Sequence, residues 1–327
     1  MLKVLMVALL SLPMMAAVDA KHECSFAPQN DLSIPVGTFT GNGMTQEVFN
    51  SVLARIEKHY KPIVEAKGAR FDLQKDWNDS TVNAYAQQNG NVWLIKMFGG
   101  LARHQHVTPD GFAMVACHEM GHHLAGAPKV QAWASNEGQS DYFATAKCAR
   151  RIWAEDNNVA LMDGKPVSEQ AKAECEQLKS NQEERALCLR SAMAGLSLGT
   201  TLASLGGTGT PKIETPDQSK VTRTKNQHPA GQCRTDTYYQ GALCEVAYTE
   251  DFDNSNEETG ACTVAKNHTK GLRSGCWYKA AGGGTDPTDP TDPQGECPFG
   301  DQAICDQLCQ INPNFPFCKK ATPLIVW

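Results

Sequence analysis

The residues best suited to chemistry lie between Ala116 and Leu124, in a stretch that contains the pattern His-Glu-x-x-His. On a helix, residues four apart project from nearly the same face, about one turn apart along the axis. His118 and His122 can therefore hold one zinc ion together, and Glu119 beside them can act as general base toward the water of such an ion. The alternative is an ordinary helix with two surface histidines.

A second acidic group extends this pattern into a metal site. A catalytic zinc takes three protein ligands and keeps an open position for water. Glu137, 15 residues after His122, supplies the third ligand. Asp141, one helical turn later, is placed to accept the free ring N–H of a ligand histidine. In the absence of a metal, Glu137 and Asp141 would be charged residues on a solvated helix face.

The residues before this motif predict a helix that begins near Pro109 and carries the motif. Thr108 is a good N-cap, Pro109 fits the first turn and Asp110 complements the positive end of the helix dipole. An apolar stripe suited to burial follows: Phe112, Val115, Ala116 and Leu124.

The N-terminus predicts export. Lys3 precedes an apolar run over residues 4–17, and small residues end it, so cleavage is expected after Ala20. We therefore predict a secreted or periplasmic protein. No later run has the length of a membrane helix, and the nearest, residues 192–205, is better interpreted as a buried helix.

Thirteen cysteines in the mature part agree with an oxidising compartment, where they would form up to six disulfides and leave one thiol. We expect Cys117 to be the unpaired one, because it precedes the first histidine on the active helix. The pairing of the others stays open. A net charge of −6 and a pI near 5.9 argue against a nucleic-acid partner.

Periodicity predicts the elements that position the motif. Apolar residues every four positions indicate a helix over residues 46–60, and alternation indicates strands over residues 70–73 and 90–95. The second strand is either an edge strand that binds the substrate backbone or an interior strand. Two further helices, residues 169–180 and 183–198, are expected to cover the active helix. They carry Cys175 and Cys188, which could join them, although their pairing stays open. A loop follows over residues 206–225.

These motifs together resemble the M48 family of gluzincin metallopeptidases, which includes the CAAX prenyl proteases and periplasmic quality-control peptidases. The resemblance covers about residues 45–244: Asn83-Ala84-x-Ala86, the Gly-rich strand, the histidine motif, Glu137-x-x-x-Asp141, and His228-Pro229 followed by Arg234. It implies that His228 stabilises the oxyanion, and that Arg234 holds this histidine or stabilises the charge of the transition state. The alternative for His228 is an ordinary loop histidine ahead of a disulfide-tethered Cys233.

The chain departs from the family in ways that limit what is carried over. The gap between His122 and Glu137 is much shorter than usual, there is no membrane segment, and the cysteine content is atypical. We therefore expect a compact secreted relative without a prenyl-protein substrate.

Composition divides the chain into four parts. A signal peptide (1–20) precedes a metallopeptidase domain (21–281), a Gly/Thr-Asp-Pro linker (282–295) and a cysteine-rich module (296–327). Four cysteines in the module suggest two disulfides, or less plausibly a zinc knuckle. The module either delivers the enzyme to a surface or polymer target or is a structural or maturation tail.

The sequence thus predicts an α+β fold: a mostly helical zincin-type domain with a small β-sheet and a disulfide-rich C-terminal appendage. The predicted activity is that of a zinc endopeptidase acting on peptide or protein substrates, with one catalytic Zn²⁺. Two alternatives remain, a catalytically silent zinc-containing binding or chaperone-like protein and a cell-wall peptide amidase.

Overall fold

The structure is a computed structural model that describes residues 23–38 and 41–280. It has an α+β fold, with one small sheet among helices and four disulfides in the described part. The predicted signal peptide, linker and C-terminal cysteine module lie outside the described residues.

The first long helix, α1 (Gln46–Ala66), begins at Thr45, whose side chain accepts a hydrogen bond from the Val48 N–H. It runs one and a half turns beyond the predicted end at residue 60. It continues past Pro62 because Val64 is fully buried in the core, and packing there offsets the cost of a proline inside the helix.

Four strands form one mixed sheet in the order β1-β3-β4-β2. Their bounds are β1 Cys24–Ser25, β2 Arg70–Asp76, β3 Ala84–Asn89 and β4 Val92–Phe98. β4 is antiparallel to β3 and parallel to β2, so it is an interior strand. The edge-strand interpretation of residues 90–95 is therefore wrong; beside β3, the edge position is taken by β1, from the N-terminus of the described chain.

After a single turn, α2 (Gly99–Ala102), the chain enters the helix that carries the histidine motif, α3 (Pro109–Leu124). Its start is as predicted, because Thr108 accepts a hydrogen bond from the Gly111 N–H at 3.0 Å. Every residue from Gly111 to His123 is buried. The helix is thus enclosed on all sides, not along one stripe, by the sheet and the helices that follow.

The chain after α3 builds this enclosure. α4 (Glu137–Phe143) continues through a π-helical turn, Ala144–Ala149, into α5 (Arg150–Trp153). The remaining α-helices are α6 (Asn158–Met162), α7 (Glu169–Leu178), α8 (Gln182–Leu205) and α9 (Gly231–Leu243), and Val264–Lys266 forms a 3₁₀ turn. The two predicted helices correspond to α7 and α8. α8 packs on α3 as expected, whereas α7 packs on α8 and α9. Residues 207–230 form neither helix nor strand.

The disulfides correct one prediction. Cys117 is bonded to Cys148, so α3 is tied to the π-helical turn after α4, and the expectation that Cys117 is the free thiol is wrong. Its burial reflects a cross-link between two helices that pack together. Cys175–Cys188 joins α7 to α8, a pairing that the sequence left open. Among the described cysteines, the unpaired one is Cys24, which is buried.

Among the described helices, α8 meets the length and composition expected of a membrane span, but 67% of the relevant window is buried in the protein. A core helix meets the same criteria, which is consistent with the predicted absence of a membrane span.

The close approach of α3 to α4 depends on Gly121. A Cβ atom there would lie 2.8 Å from Ser140 Cα and 2.9 Å from Ser140 O, which are backbone atoms that cannot rotate away. We expect Gly121→Ala to destabilise the protein by about 1–3 kcal/mol through overpacking, measured by denaturant unfolding. Gly209→Ala is the control, since a Cβ there meets nothing within 4 Å. Equal stability of both variants would contradict this packing.

Candidate metal centre

Three side chains from two helices converge on one point. His118 and His122 lie one turn apart on α3, and Glu137 is the first residue of α4. The Nε2 of His118 lies 3.3 Å from Glu137 Oε2, and the Nε2 of His122 lies 3.6 Å from Glu137 Oε1. One ligand atom from each residue lies within 4.8 Å of the others, so the group could hold a metal ion. The structure therefore brings together the three predicted ligands.

The orientation of His118 is set by Asp141. The Nδ1–H of His118 donates to Asp141 Oδ1 at 2.7 Å, which turns Nε2 toward Glu137. Asp141 lies one turn after Glu137 on α4, and its side chain is fully buried. This is the arrangement by which carboxylates fix the tautomer of metal-binding histidines, and it agrees with the position expected from the sequence.

Asp141 is in turn held by α9. Arg234 donates from Nε to Oδ2 and from Nη2 to Oδ1, both at 2.7 Å, in a two-pronged salt bridge. The Tyr238 hydroxyl also donates to Oδ1. Burial alone would raise the pKa of Asp141, but the charge of Arg234 lowers it overall, so this carboxyl stays ionised and can accept from His118.

His122 is oriented by backbone instead. Its Nδ1 lies 2.9 Å from the carbonyl oxygen of Ser135, so the Nδ1–H donates there and Nε2 faces the cluster. Asn136, the next residue, caps α4 by accepting from the Gln139 N–H at 2.9 Å and donates to the Lys225 carbonyl at 3.0 Å. The segment before α4 thus positions His122 and Glu137 together and attaches them to the loop that leads to His228.

The cluster leaves buried polar atoms without partners. His118 Nε2, His122 Nε2 and Glu137 Oε2 make no hydrogen bond within the described chain. Unpaired buried groups of this kind are costly, and about 1–3 kcal/mol is typical for each. A divalent cation bound between two imidazoles and a carboxylate would satisfy all three, so the residues present fit such an ion.

The two histidine ligands differ in the direction in which their pKa values are shifted. Burial opposes protonation of His118, but the Asp141 carboxylate outweighs it and raises the pKa to about 9. Burial lowers the pKa of His122 to about 4, so this ring is a neutral ligand at neutral pH. Burial also opposes ionisation of Glu137, yet the charges of His228 and His122 hold its pKa well below the usual range. A cation at the cluster would compete with the His118 proton.

Glu119 lies beside the ligands without joining them. Its side chain is fully buried, and neither carboxylate oxygen has a hydrogen-bond partner in the described structure. Burial, opposed by the charge of His118, raises the pKa of Glu119 to about 8. A carboxyl whose pKa lies near neutrality can take and return a proton at physiological pH, as a general base must.

His228 is brought to the cluster by the loop before α9. Its Nε2 lies 3.5 Å from Glu137 Oε2 and donates to the carbonyl oxygen of Ser25 at 2.7 Å. Arg234 also approaches Glu137, at 3.8 Å, but its hydrogen-bond contacts in the described structure are with Asp141, Phe26, Tyr238 and the Nδ1 of His118, not with His228. His228 is therefore placed where predicted, whereas Arg234 supports Asp141.

The N-terminal segment is a part of the site that sequence reasoning missed. The Phe26 ring meets the His118 ring edge-on, with centroids 5.6 Å apart, and the Phe26 carbonyl accepts from Arg234 at 2.8 Å. Tyr238 was also missed, although its position one turn after Arg234 on a helix was a usable signal. For residues 24–26, no local signal connects them with the motif about 90 residues later.

Comparisons with known proteins gave no match: no family model matches the sequence, and neither a curated protein nor a solved structure resembles the chain significantly. The assignment of this centre therefore depends on its own geometry.

Removing the charge that organises the centre should affect stability and metal binding together. We expect Asp141→Asn to destabilise the protein by about 3–5 kcal/mol, because Arg234 would keep a buried charge without its partner. Metal affinity should fall about 10–100-fold as His118 loses its orientation. Denaturant unfolding and a metal titration measure these effects, with the exposed Asp163→Asn as control. An Asp141→Asn protein with native stability and affinity would rule out this role.

Proposed function

We propose that this protein is a metal-dependent peptidase with an M48-like, zincin-type catalytic domain, zinc as its metal and export through the N-terminal signal sequence. The observation that carries the proposal is the buried, unpartnered Glu119 carboxyl beside the convergent His118, His122 and Glu137. A metal site that serves only stability needs the three ligands but has no use for an additional carboxyl of this kind. The disulfides support an oxidising compartment.

In this proposal, Nε2 of His118, Nε2 of His122 and a Glu137 oxygen hold the ion. A zinc ion in such a site supplies Lewis acidity, which activates water and polarises the substrate carbonyl. Asp141 keeps His118 in the ligating tautomer, and Arg234 and Tyr238 keep Asp141 ionised and in place. Asp141, Arg234 and Tyr238 thus restrict the orientation of the ligand His118 and do not contact the substrate.

Glu119 is the general base. It takes a proton from the attacking water, and after the tetrahedral stage it passes that proton to the departing amine nitrogen, so the peptide bond breaks without leaving an amide anion. Burial raises the pKa of Glu119 to about 8. A cation at the cluster would lower it, so that the carboxylate needed for the first transfer is present at neutral pH. The burial of the carboxyl also keeps bulk water from competing for this proton.

His228 is the donor for the developing oxyanion. Its Nε2 already binds a peptide carbonyl oxygen, that of Ser25, at 2.7 Å beside the ligand cluster. A substrate carbonyl in the same position would accept the same hydrogen bond, which strengthens as negative charge develops on the oxygen. The geometry thus favours an acyl-transfer reaction on a peptide.

The first test is Glu119→Gln, which keeps the shape of the side chain and removes the base. We expect the variant to bind one equivalent of zinc, measured by elemental analysis, and to lose cleavage of an unfolded protein by about 10²–10⁴-fold. Glu155→Gln, on the surface, is the control and should match wild type. Undiminished cleavage by Glu119→Gln would refute the mechanism, and a protein that binds no zinc would refute the proposed centre.

The second test is His228→Ala. We expect kcat to fall by about 10²–10³-fold with little change in KM, because the lost hydrogen bond is strongest in the transition state. Zinc content should stay the same, since His228 is not among the three ligands. An equal loss in His228→Gln, which can still donate, would indicate a structural role, and an unchanged kcat in His228→Ala would exclude the oxyanion role.

A further inference from the structure

The N-terminal residues 24–26 occupy the place that a substrate strand needs. β1 is antiparallel to β3, with Cys24 opposite Ala86 and Ser25 opposite Tyr85, and the Phe26 N–H extends the ladder to the Ala84 carbonyl at 3.0 Å. A peptide that added to this edge of β3 would have to form these same hydrogen bonds.

The carbonyl groups of this segment use the polar groups of the centre. Ser25 accepts from His228 at 2.7 Å, and Phe26 accepts from Arg234 at 2.8 Å. The same His228 Nε2 lies 3.5 Å from Glu137, so one side chain connects the Ser25 carbonyl with the ligand cluster. The donor proposed for the oxyanion is therefore bonded to the protein's own chain.

The strand register shows where the Cys24 side chain points. Residues opposite each other in an antiparallel pair share a face, as do residues two apart along a strand. Cys24 thus shares a face with the fully buried Ala86 and with Phe26, whose ring meets His118. That face is the one covered by α3, which carries the histidines.

Cys24 also has the chemistry of a metal ligand. It is 7% exposed and, among the described cysteines, it is the one without a disulfide partner. Burial raises the pKa of its thiol, and the nearby carboxylates of Glu137 and Glu119 raise it further, an effect that a cation in the cluster would oppose. The cluster itself offers His118 Nε2, His122 Nε2 and Glu137 Oε2, all buried and unpartnered, which would provide three of the four positions of a tetrahedral site.

We propose that residues 24–26 close the metal centre from within the chain, with the Cys24 thiolate as the fourth metal ligand and the Ser25 carbonyl held by His228. This proposal deepens, and depends on, the proposed peptidase function. When it binds the ion, the Cys24 thiol loses its proton. Its sulfur must also move toward the cluster, because it is not among the ligand atoms that lie within 4.8 Å of one another. The two-residue strand β1 allows this shift. Withdrawal of the segment opens the fourth position and frees His228, so closure lowers the activity of the folded protein without abolishing it.

The test uses the full-length protein, purified without reductant and loaded with Co²⁺ in place of zinc. Thiolate coordination gives a charge-transfer absorption band in the near ultraviolet. We expect this band in wild type and in the control Asp31→Asn, an exposed change in the same N-terminal segment. Cys24→Ser should bind one equivalent of Co²⁺ without the band. Alkylation of Cys24, mapped by mass spectrometry, should be slow in the metal-loaded protein and at least 10-fold faster after chelation.

Latency is tested separately by cleavage of an unfolded protein by the zinc forms. We expect Cys24→Ser to cleave at least 10-fold faster than wild type, and Glu119→Gln added to Cys24→Ser to abolish this gain. Cys24→Ala provides a second variant should the serine disturb folding. A fully active wild type without the band, or a Cys24 found in a disulfide, would overturn this inference and leave the peptidase proposal intact. Failure of every variant to bind metal would overturn both.

Discussion

The buried carboxylate of Asp141 is the interaction on which the rest of this centre depends. It accepts hydrogen bonds from His118, from Arg234 and from Tyr238, so a single carboxylate links the three helices α3, α4 and α9. An ionised carboxylate without such partners could not remain at this depth. Since each partner is itself buried, the four groups are stable only together, and the ligand geometry of His118 is a product of the whole fold.

The enclosure of α3 explains why the cluster is suited to hold a cation. Two histidine nitrogens, a Glu137 oxygen and both Glu119 oxygens are buried without hydrogen bonds. A folded protein carries few such atoms, and here they lie together. Burial raises the pKa of Glu119 and lowers that of His122, which in each case disfavours the charged form. A bound divalent ion supplies the missing positive charge and coordinates the free nitrogens, so the same residues that are costly without it become favourable.

The sequence predicted the local parts of this arrangement because their signals are local. The Thr108 cap, the four-residue spacing of His118 and His122, and the four-residue spacing of Glu137 and Asp141 all act within one or two helical turns. Export, the zinc identity and the family resemblance stay predictions. The disulfides of the described part are consistent with an oxidising compartment without showing export, and nothing in the fold identifies the metal or the family.

Long-range pairing could not be predicted in this way. Cys117 was expected to be free and is bonded to Cys148, because a cysteine's partner is chosen by how helices pack and not by its neighbours in sequence. Residues 90–95 have the alternation of either kind of strand, and only the placement of β1 and β2 shows that β4 is interior. Phe26 and His118 are in contact although they lie about 90 residues apart in sequence, and no periodicity within either segment predicts this contact.

In the proposed mechanism His228 would bind two carbonyl groups in turn, and this bears on how such a centre would be controlled. An imidazole N–H makes one strong hydrogen bond at a time, so the Ser25 carbonyl and a substrate carbonyl compete for it. The internal carbonyl is tethered and is present at a high effective concentration, which favours it over a free peptide of similar intrinsic affinity. That advantage is maintained by few ladder bonds, because β1 spans only Cys24–Ser25. A strand this short is easily displaced. It would exclude weakly binding peptides only if another interaction, such as ligation of the ion by the chain itself, also holds it in place.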